Sequence, residues 1–416
     1  MDATTDVGAG RGRPDDAPPP TTEDVAPGDE TPRVADGLEH EPTRLLDFAL
    51  GVVVLVASLV PGAPASLPIG LVAVAGLVAL SVTRRPTRSL AGGLGWFPGL
   101  AAVLILYVVV ISLIGPDESR FGWPQRALRL ALVVTAMVFI VSGRVHYPSL
   151  VRGMATGLMA NAVLFFAGVA PAPYGTLLSG YLLDKNQAGL AYTVTGLLLL
   201  GVTTSRRHQV AVVVVTSALV WTTGSRTSLA ALASALVWFA LRPKLGVVAR
   251  VGLAAVLAVA IPFVQENYSQ LGRFADRVGT DWFRERIDEA SRLKLDQAPW
   301  YGQGLGEAWI SLSDGATYFF HNSYWAVLVE GGWVYLVALL VAHVWYGMRP
   351  LRPGPPPTRL ALSGEAANLA VLICALRLGE VFGATTALVA LAAGLIGYLQ
   401  AESLRRPAAR VATVAR

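Results

Sequence analysis

Apolar residues along this chain come in long uninterrupted stretches, not at amphipathic spacing, as from Leu94 to Ile114, Leu150 to Ala170 and Ser323 to Tyr346. Crossing a bilayer core takes roughly twenty apolar residues in a helix, and a soluble core requires no such runs. Stretches of this kind fall at 45–61, 67–82, 94–114, 125–142, 150–170 and 186–204, then at 209–223, 226–241, 247–264, 323–346, 360–376 and 380–399. The pattern predicts an all-α fold: a polytopic transmembrane helical bundle of about 12 helices.

Polar residues punctuate these stretches with a regular sign. Basic residues occupy alternate connections: Arg84, Arg85 and Arg88; Arg144 and Arg152; Arg206 and Arg207; Arg242, Lys244 and Arg250; Arg349, Arg352 and Arg359. Arg405 and Arg406 follow in the tail, whereas Pro61 to Pro68 carries no basic residue. The positive-inside rule then puts both termini in the cytoplasm, in a multi-pass protein of the cytoplasmic membrane. It also places the long segment 265–322, between the ninth and tenth helices, on the outer side. That segment holds nine acidic and six basic residues. Loops of this length carry function or are disordered, and Trp282, Phe283, Ile287, Leu293, Leu295 and Trp300 predict a folded, partly helical cap. Residues 1–43, rich in Pro, Gly, Asp, Glu and Thr, read as a disordered cytoplasmic tail; 44–402 form the membrane domain and 403–416 a C-terminal cytoplasmic tail.

Composition adds little to this picture. The chain is 54% hydrophobic and 15% charged, with a net charge of +5. Its basic residues are scattered as topology signals and not gathered on one face, so nucleic acid is not an expected partner. Cys374 is the single cysteine, which excludes an intrachain disulfide, and its apolar setting points to helix packing.

Candidate chemistry is concentrated toward the outer side. Of the five histidines, only His321 falls there, just before a long apolar helix, where an imidazole could serve as general base at the membrane face. The plainer reading is an interfacial residue that anchors the loop. Arg226 follows Thr223-Gly224-Ser225 in a very short outer turn, where a permanent cation calls for an anionic partner such as phosphate or else snorkels from the helix end. Arg284, with Arg286 and Arg292 behind it, is open to neutralisation by Asp281, Glu285, Asp288 and Glu289. Gly302-Gln303-Gly304-Leu305-Gly306 lacks the ending of a nucleotide-binding loop and reads as a tight turn. Glu330 lies inside the helix that His321 precedes, about nine positions on and on the opposite face, so its partner is expected on another helix. Arg377 and Glu380 suggest a local ion pair, and Asp184, Lys185 and Asn186 form a polar cluster in which Asn186 could be a helix cap.

In order, Lys185-Asn186-Gln187-Ala188-Gly189, Thr223-Gly224-Ser225-Arg226-Thr227, Pro299 with Gly302-Gln303-Gly304-Leu305-Gly306, His321-Asn322-Ser323-Tyr324 and Glu330-Gly331-Gly332 form a pattern. It resembles the O-antigen ligase and O-antigen polymerase superfamily of bacterial membrane glycosyltransferases. The motifs cover about residues 180–335, and the helix pattern extends the likeness to the membrane domain 44–402. The resemblance implies transfer of a glycan from an undecaprenyl-pyrophosphate carrier to an acceptor hydroxyl, on a glycan or lipid-glycan acceptor, in cell-surface polysaccharide biosynthesis. It implies no nucleotide sugar, essential metal or other cofactor. His321 matches the histidine that activates the acceptor hydroxyl, and Arg226 the arginine that engages pyrophosphate. Arg284 stands where a second loop arginine is expected, fifteen residues before Pro299, although Asp288 replaces the aromatic residue usual after it. Arg286 or Arg292 could take that role instead. Asn186, Asn322 and Glu330 fall within the matching motifs as supporting residues.

The competing class is a secondary transporter or flippase-type membrane protein, which places ionisable groups near mid-membrane. Here the notable cations lie at outer helix ends.

Overall fold

The computed structural model describes residues 43–59, 67–115, 122–267, 278–312, 315–352 and 358–414. The tail expected at 1–43 falls outside them except for its last residue, as does most of the loop at Pro61–Pro68.

Helices occupy the apolar stretches: α1 (Leu45–Val53), α2 (Ile69–Val82), α3 (Phe97–Ile114), α4 (Trp123–Val141), α5 (Tyr147–Phe166) and α6 (Lys185–Gly201), then α7 (Arg206–Thr223), α8 (Arg226–Leu241) and α9 (Val247–Asn267). The long segment supplies α10 (Val278–Gln297) and an antiparallel hairpin, β1 (Trp309–Ser311) with β2 (Thr317–Phe319), in which Ile310 pairs with Tyr318. After it come α11 (Ser323–Leu340), prolonged by a wider π-helical stretch Val341–Met348, then α12 (Arg359–Ala375) and α13 (Thr385–Val414). Five helices among the described residues are long and apolar enough to cross a membrane: Phe97–Ile114, Trp123–Val141, Tyr147–Phe166, Ser323–Met348 and Thr385–Ser403.

Burial sorts the helices into inner and outer. Every residue of α12 from Leu360 to Val371 is buried, so protein surrounds this helix on all sides, with α6, α8 and α13 as its neighbours. At the other extreme, α3 buries only Phe97, Val108 and Ile111 and turns Val103, Leu106 and Leu113 outward, as a helix facing lipid does. Glycine permits the closest crossing: a Cβ at Gly51 of α1 would come 2.6 Å from the Leu150 carbonyl of α5.

Basic connections gather at one end of the bundle. There Arg84 Nη1 meets Asp47 at 2.6 Å, and Arg359 Nη1 donates to the Thr203 carbonyl at 3.1 Å. Glu365 receives both Arg242 Nε at 2.7 Å and Arg349 Nη2 at 2.9 Å. One helix length away, about 25 Å for 17 residues at 1.5 Å each, lie the first turns of α6, α8 and α11.

The segment after α10 folds against that second end as a cap with a small core of its own: Ile287, Ala308, Ile310, Phe320, Ala326 and Val329, backed by Phe283 and Leu295. Of the six apolar residues from which a folded, partly helical cap is expected, three lie outside this core. Trp282, Leu293 and Trp300 are exposed, because Trp282 and Leu293 occupy the face of α10 turned from Ile287 and Trp300 lies on the turn that follows. The glycine-rich run lies directly on α11. Gly332 leaves helical geometry (φ 64°, ψ −166°), which frees the carbonyls before it. Gln303 N then donates to Val329 O at 2.6 Å, Gly304 N to Glu330 O at 3.0 Å, and Trp333 N to Trp300 O at 2.9 Å. A Cβ on Gly302 would come within 2.7 Å of the Gly332 nitrogen, so the Gly302–Gly306 and Glu330-Gly331-Gly332 motifs are two halves of one backbone contact.

Candidate active site at three helix N-termini

The first turns of α6, α8 and α11 lie at this second end, each led by a side-chain cap. Asp184 leads α6: its Oδ1 accepts the backbone N–H groups of Asn186 and Gln187, both at 2.8 Å. The cap is therefore Asp184 and not Asn186, which sits in the first turn and donates its backbone N–H to the capping carboxylate. Asn322 leads α11 and accepts from Tyr324 N at 2.9 Å and Trp325 N at 3.3 Å. Ser225 leads α8, where its hydroxyl meets that of Ser228 at 2.9 Å, and Gly224 ends α7 at φ 65°.

These ends are tied to one another. Ser323 Oγ donates to the Leu378 carbonyl and accepts from Val381 N at 2.9 Å, which holds α11 to the turn between α12 and α13. Gln187 Nε2 of α6 donates to Gly379 O of that same turn at 3.1 Å. Gly189, one turn into α6, leaves room for Ser225 and Ser228, the neighbours of Arg226: a Cβ there would come 2.9 Å from Ser225 Cβ. The starts of α6 and α11 are thus tied through the turn between α12 and α13, and the start of α8 lies against α6.

His321 stands at the entrance to α11, half-buried. Burial, reinforced by the charge of Arg284 and opposed by Asp184, holds its imidazole below the ordinary histidine value of 6.5. The ring is thus neutral at physiological pH and ready to accept a proton. Tyr174, in the connection before α6, donates to Asp184 Oδ2 at 2.9 Å, and the Lys185 ammonium lies 5.4 Å from the Tyr174 ring centre. Burial and the Asp184 carboxylate push the Tyr174 hydroxyl up to about 12, so it remains a donor. Arg284 acts on Tyr174, His321 and Asp288 alike, which makes it the cation shared by this cluster.

Of the residues expected from sequence, the structure brings Arg284 and His321 together and adds Asp184 and Tyr174. Arg226 stands at the same end, on the first turn of α8, joined to the cluster through α6. Arg286 lies 5.1 Å over the Trp282 ring, on the outward side of α10, and Arg292 lies 5.5 Å over Trp325, in the first turn of α11. Glu330 finds its partner on α4: Arg126 Nη1 lies 3.2 Å from its Oε1, which also accepts from Gly306 N at 2.9 Å.

Two expected ion pairs are corrected. Arg377 does not pair with Glu380; it reaches Asp288 of α10 at 3.4 Å, while Glu380 pairs with Arg126 and, at 3.9 Å, with Arg129. Residues 377 and 380 lie in a tight turn that points their side chains to opposite neighbours, the cap and α4. Asp288 makes its close contact with Arg377 and feels the charge of Arg284 from farther away, and Arg284 holds no ion pair within 4 Å among the described residues. The side chain of Asp281 lies outside them. Arg126 and Tyr174 escaped the sequence reading, and Asp184 was read only as a member of a polar cluster. A cation inside an apolar stretch was the available signal for Arg126.

Residues 210–340 match the family model described as O-Antigen ligase. Over that third of its length the chain is similar to the O-antigen ligase family. The match runs from α7 through the cap to the end of α11, and so contains Arg226, Arg284, His321 and Glu330. That similarity and the five helices long and apolar enough to cross a membrane support a membrane protein of O-antigen ligase type. No curated protein matches the chain.

Proposed function

We propose that this protein transfers a glycan from undecaprenyl pyrophosphate to an acceptor hydroxyl at the outer face of the cytoplasmic membrane. The observation that supports this most directly is the half-buried His321 at the entrance to α11, with Arg284 of the cap and Asp184 of α6 beside it. Such a site asks for a base and for donors to a pyrophosphate side by side.

In this reading His321 removes the proton of the acceptor hydroxyl as its oxygen attacks the anomeric carbon of the donor. The new C–O bond forms as the bond from that carbon to the pyrophosphate oxygen breaks, and the electron pair leaves with the pyrophosphate. Arg226 and Arg284 stabilise the negative charge that develops there, since guanidinium forks match phosphate oxygens. Direct displacement inverts the anomeric configuration. Tyr174 and Asp184 hold the site between α6 and the cap, and Asn322 fixes the backbone on which His321 is mounted. No metal takes part in this scheme. Both termini lie in the cytoplasm, and the cap formed by α10 and the β1–β2 hairpin covers the site from outside.

Deletion of the gene, followed by electrophoresis of surface glycans, tests the reaction. Loss of chain length with one repeat unit still attached identifies a polymerase; carrier-bound polymer that never transfers identifies a ligase. Unchanged glycans and carrier lipids would refute the proposal.

A further inference from the structure

A second polar cavity lies on the α4 side of α11. Its volume is about 80 Å³, and Arg126 and Arg129 of α4, Glu330 of α11 and Glu380 of the α12–α13 turn line it beneath Phe319. His321, Asp184, Tyr174 and Arg284 are not among its walls. Leu130, Tyr335 and Phe382 are shared with an apolar cavity of about 90 Å³ between α3, α4, α11 and α13, so the two spaces are neighbours across common side chains. Trp96 and Leu100, on the α3 wall of the apolar space, are 44% and 43% exposed, which opens it toward lipid.

The charge in the polar cavity is balanced. Two guanidinium groups face two carboxylates, so donors and acceptors alternate while the formal charges cancel. An anionic head would meet Glu330 and Glu380 as well as the arginines. A sugar hydroxyl both donates and accepts, and suits such a set. Glu380 is kept in place at φ 57°, a conformation that costs a non-glycine residue energy and recurs at ligand sites. Phe319, 39% exposed with the Arg126 guanidinium 5.5 Å from its ring centre, offers an apolar face for a sugar ring.

We propose that the two cavities form one amphipathic site for a glycolipid, with an uncharged sugar head among Arg126, Arg129, Glu330 and Glu380 and a single apolar chain between α3 and α11. Its ligand is a lipid other than the pyrophosphate-linked donor. The inference rests on the glycan-transfer reading only for taking the head to be a sugar.

The test is photolabelling of the full-length protein in lipid nanodiscs, with trace dodecyl maltoside carrying a diazirine in its chain, set against dodecyl phosphate with the same chain. Label from the maltoside is expected on Leu104, Leu130 and Tyr335, and about tenfold less in Ala101→Trp and Ala338→Trp, either of which fills the apolar space. Arg129→Gln, at a half-exposed position that folding tolerates, is expected to lower maltoside labelling severalfold. Equal labelling of the wild type and both tryptophan variants would overturn the site; stronger labelling by dodecyl phosphate would overturn the uncharged head. His321→Ala separates the two readings. Unchanged labelling with transfer lost supports both, and retained transfer removes the catalytic reading while the glycolipid site stands or falls on its label.

Discussion

Glu330 on α11 and Arg126 on α4 meet at 3.2 Å although 204 positions separate them in the chain. The same carboxylate oxygen accepts Gly306 N, so one side chain joins α4, α11 and the cap. Truncating either partner strands the other in a half-buried setting. Arg126→Gln or Glu330→Gln should each lower stability by about 1–3 kcal/mol, and the double variant by less than the sum. Thermal unfolding in detergent measures this, and strictly additive losses would argue against the pair.

His321→Ala should reduce transfer by roughly 10²–10⁴-fold, the usual contribution of a general base, with membrane abundance unchanged. Arg226→Ala is expected to abolish transfer in the same way. Glycan attached to acceptor, measured against protein in the membrane fraction, gives the answer. Full activity in both variants would leave the assigned mechanism without support.

The pH profile should carry the mark of the charges around His321. The ring lies below 6.5 because of burial and Arg284, so the acid limb of activity belongs below that value. Arg284→Gln removes a repelling charge and should move the limb up. Asp184→Asn keeps a good helix cap yet removes a supporting charge, and should move it down. For stability the sign is the opposite of a salt-bridged histidine. The unfolded chain takes up the proton first as pH falls, so stability declines from about 6.5 downward through the lowered value. Limbs that shift together in the two variants would contradict this arrangement.

Gly332→Ala should loosen the cap. A Cβ there would strike the backbone of Trp300 and Tyr301, and φ of 64° adds strain, for a loss of about 2 kcal/mol or more. Faster tryptic cleavage at Arg284, Arg286 and Arg292 of α10 reports it. Unchanged cleavage would mean that the kink is not what seats the cap.

Much of the helical plan was legible because it is a one-dimensional signal: apolar runs of helix length, separated by charges of alternating kind. His321 and Arg226 were legible too, as polar residues at apolar helix starts. The pairing of charges was not. Arg377 and Glu380 looked like each other's partners because they are neighbours in the chain, and the turn sends them to Asp288 and Arg126. Asp184 was passed over for Asn186 for the related reason that cap geometry depends on where the helix begins, to the residue.

By itself the sequence determined where apolar surface lies and which residues bring charge, since hydrophobicity and spacing are properties of the chain alone. Only the tertiary structure decided that Arg284 and Asp184 stand near His321, and that Glu330 faces α4 while the cap's glycines lie on the break at Gly332. Those relations depend on contacts between residues far apart in the chain, which packing selects and local pattern does not encode.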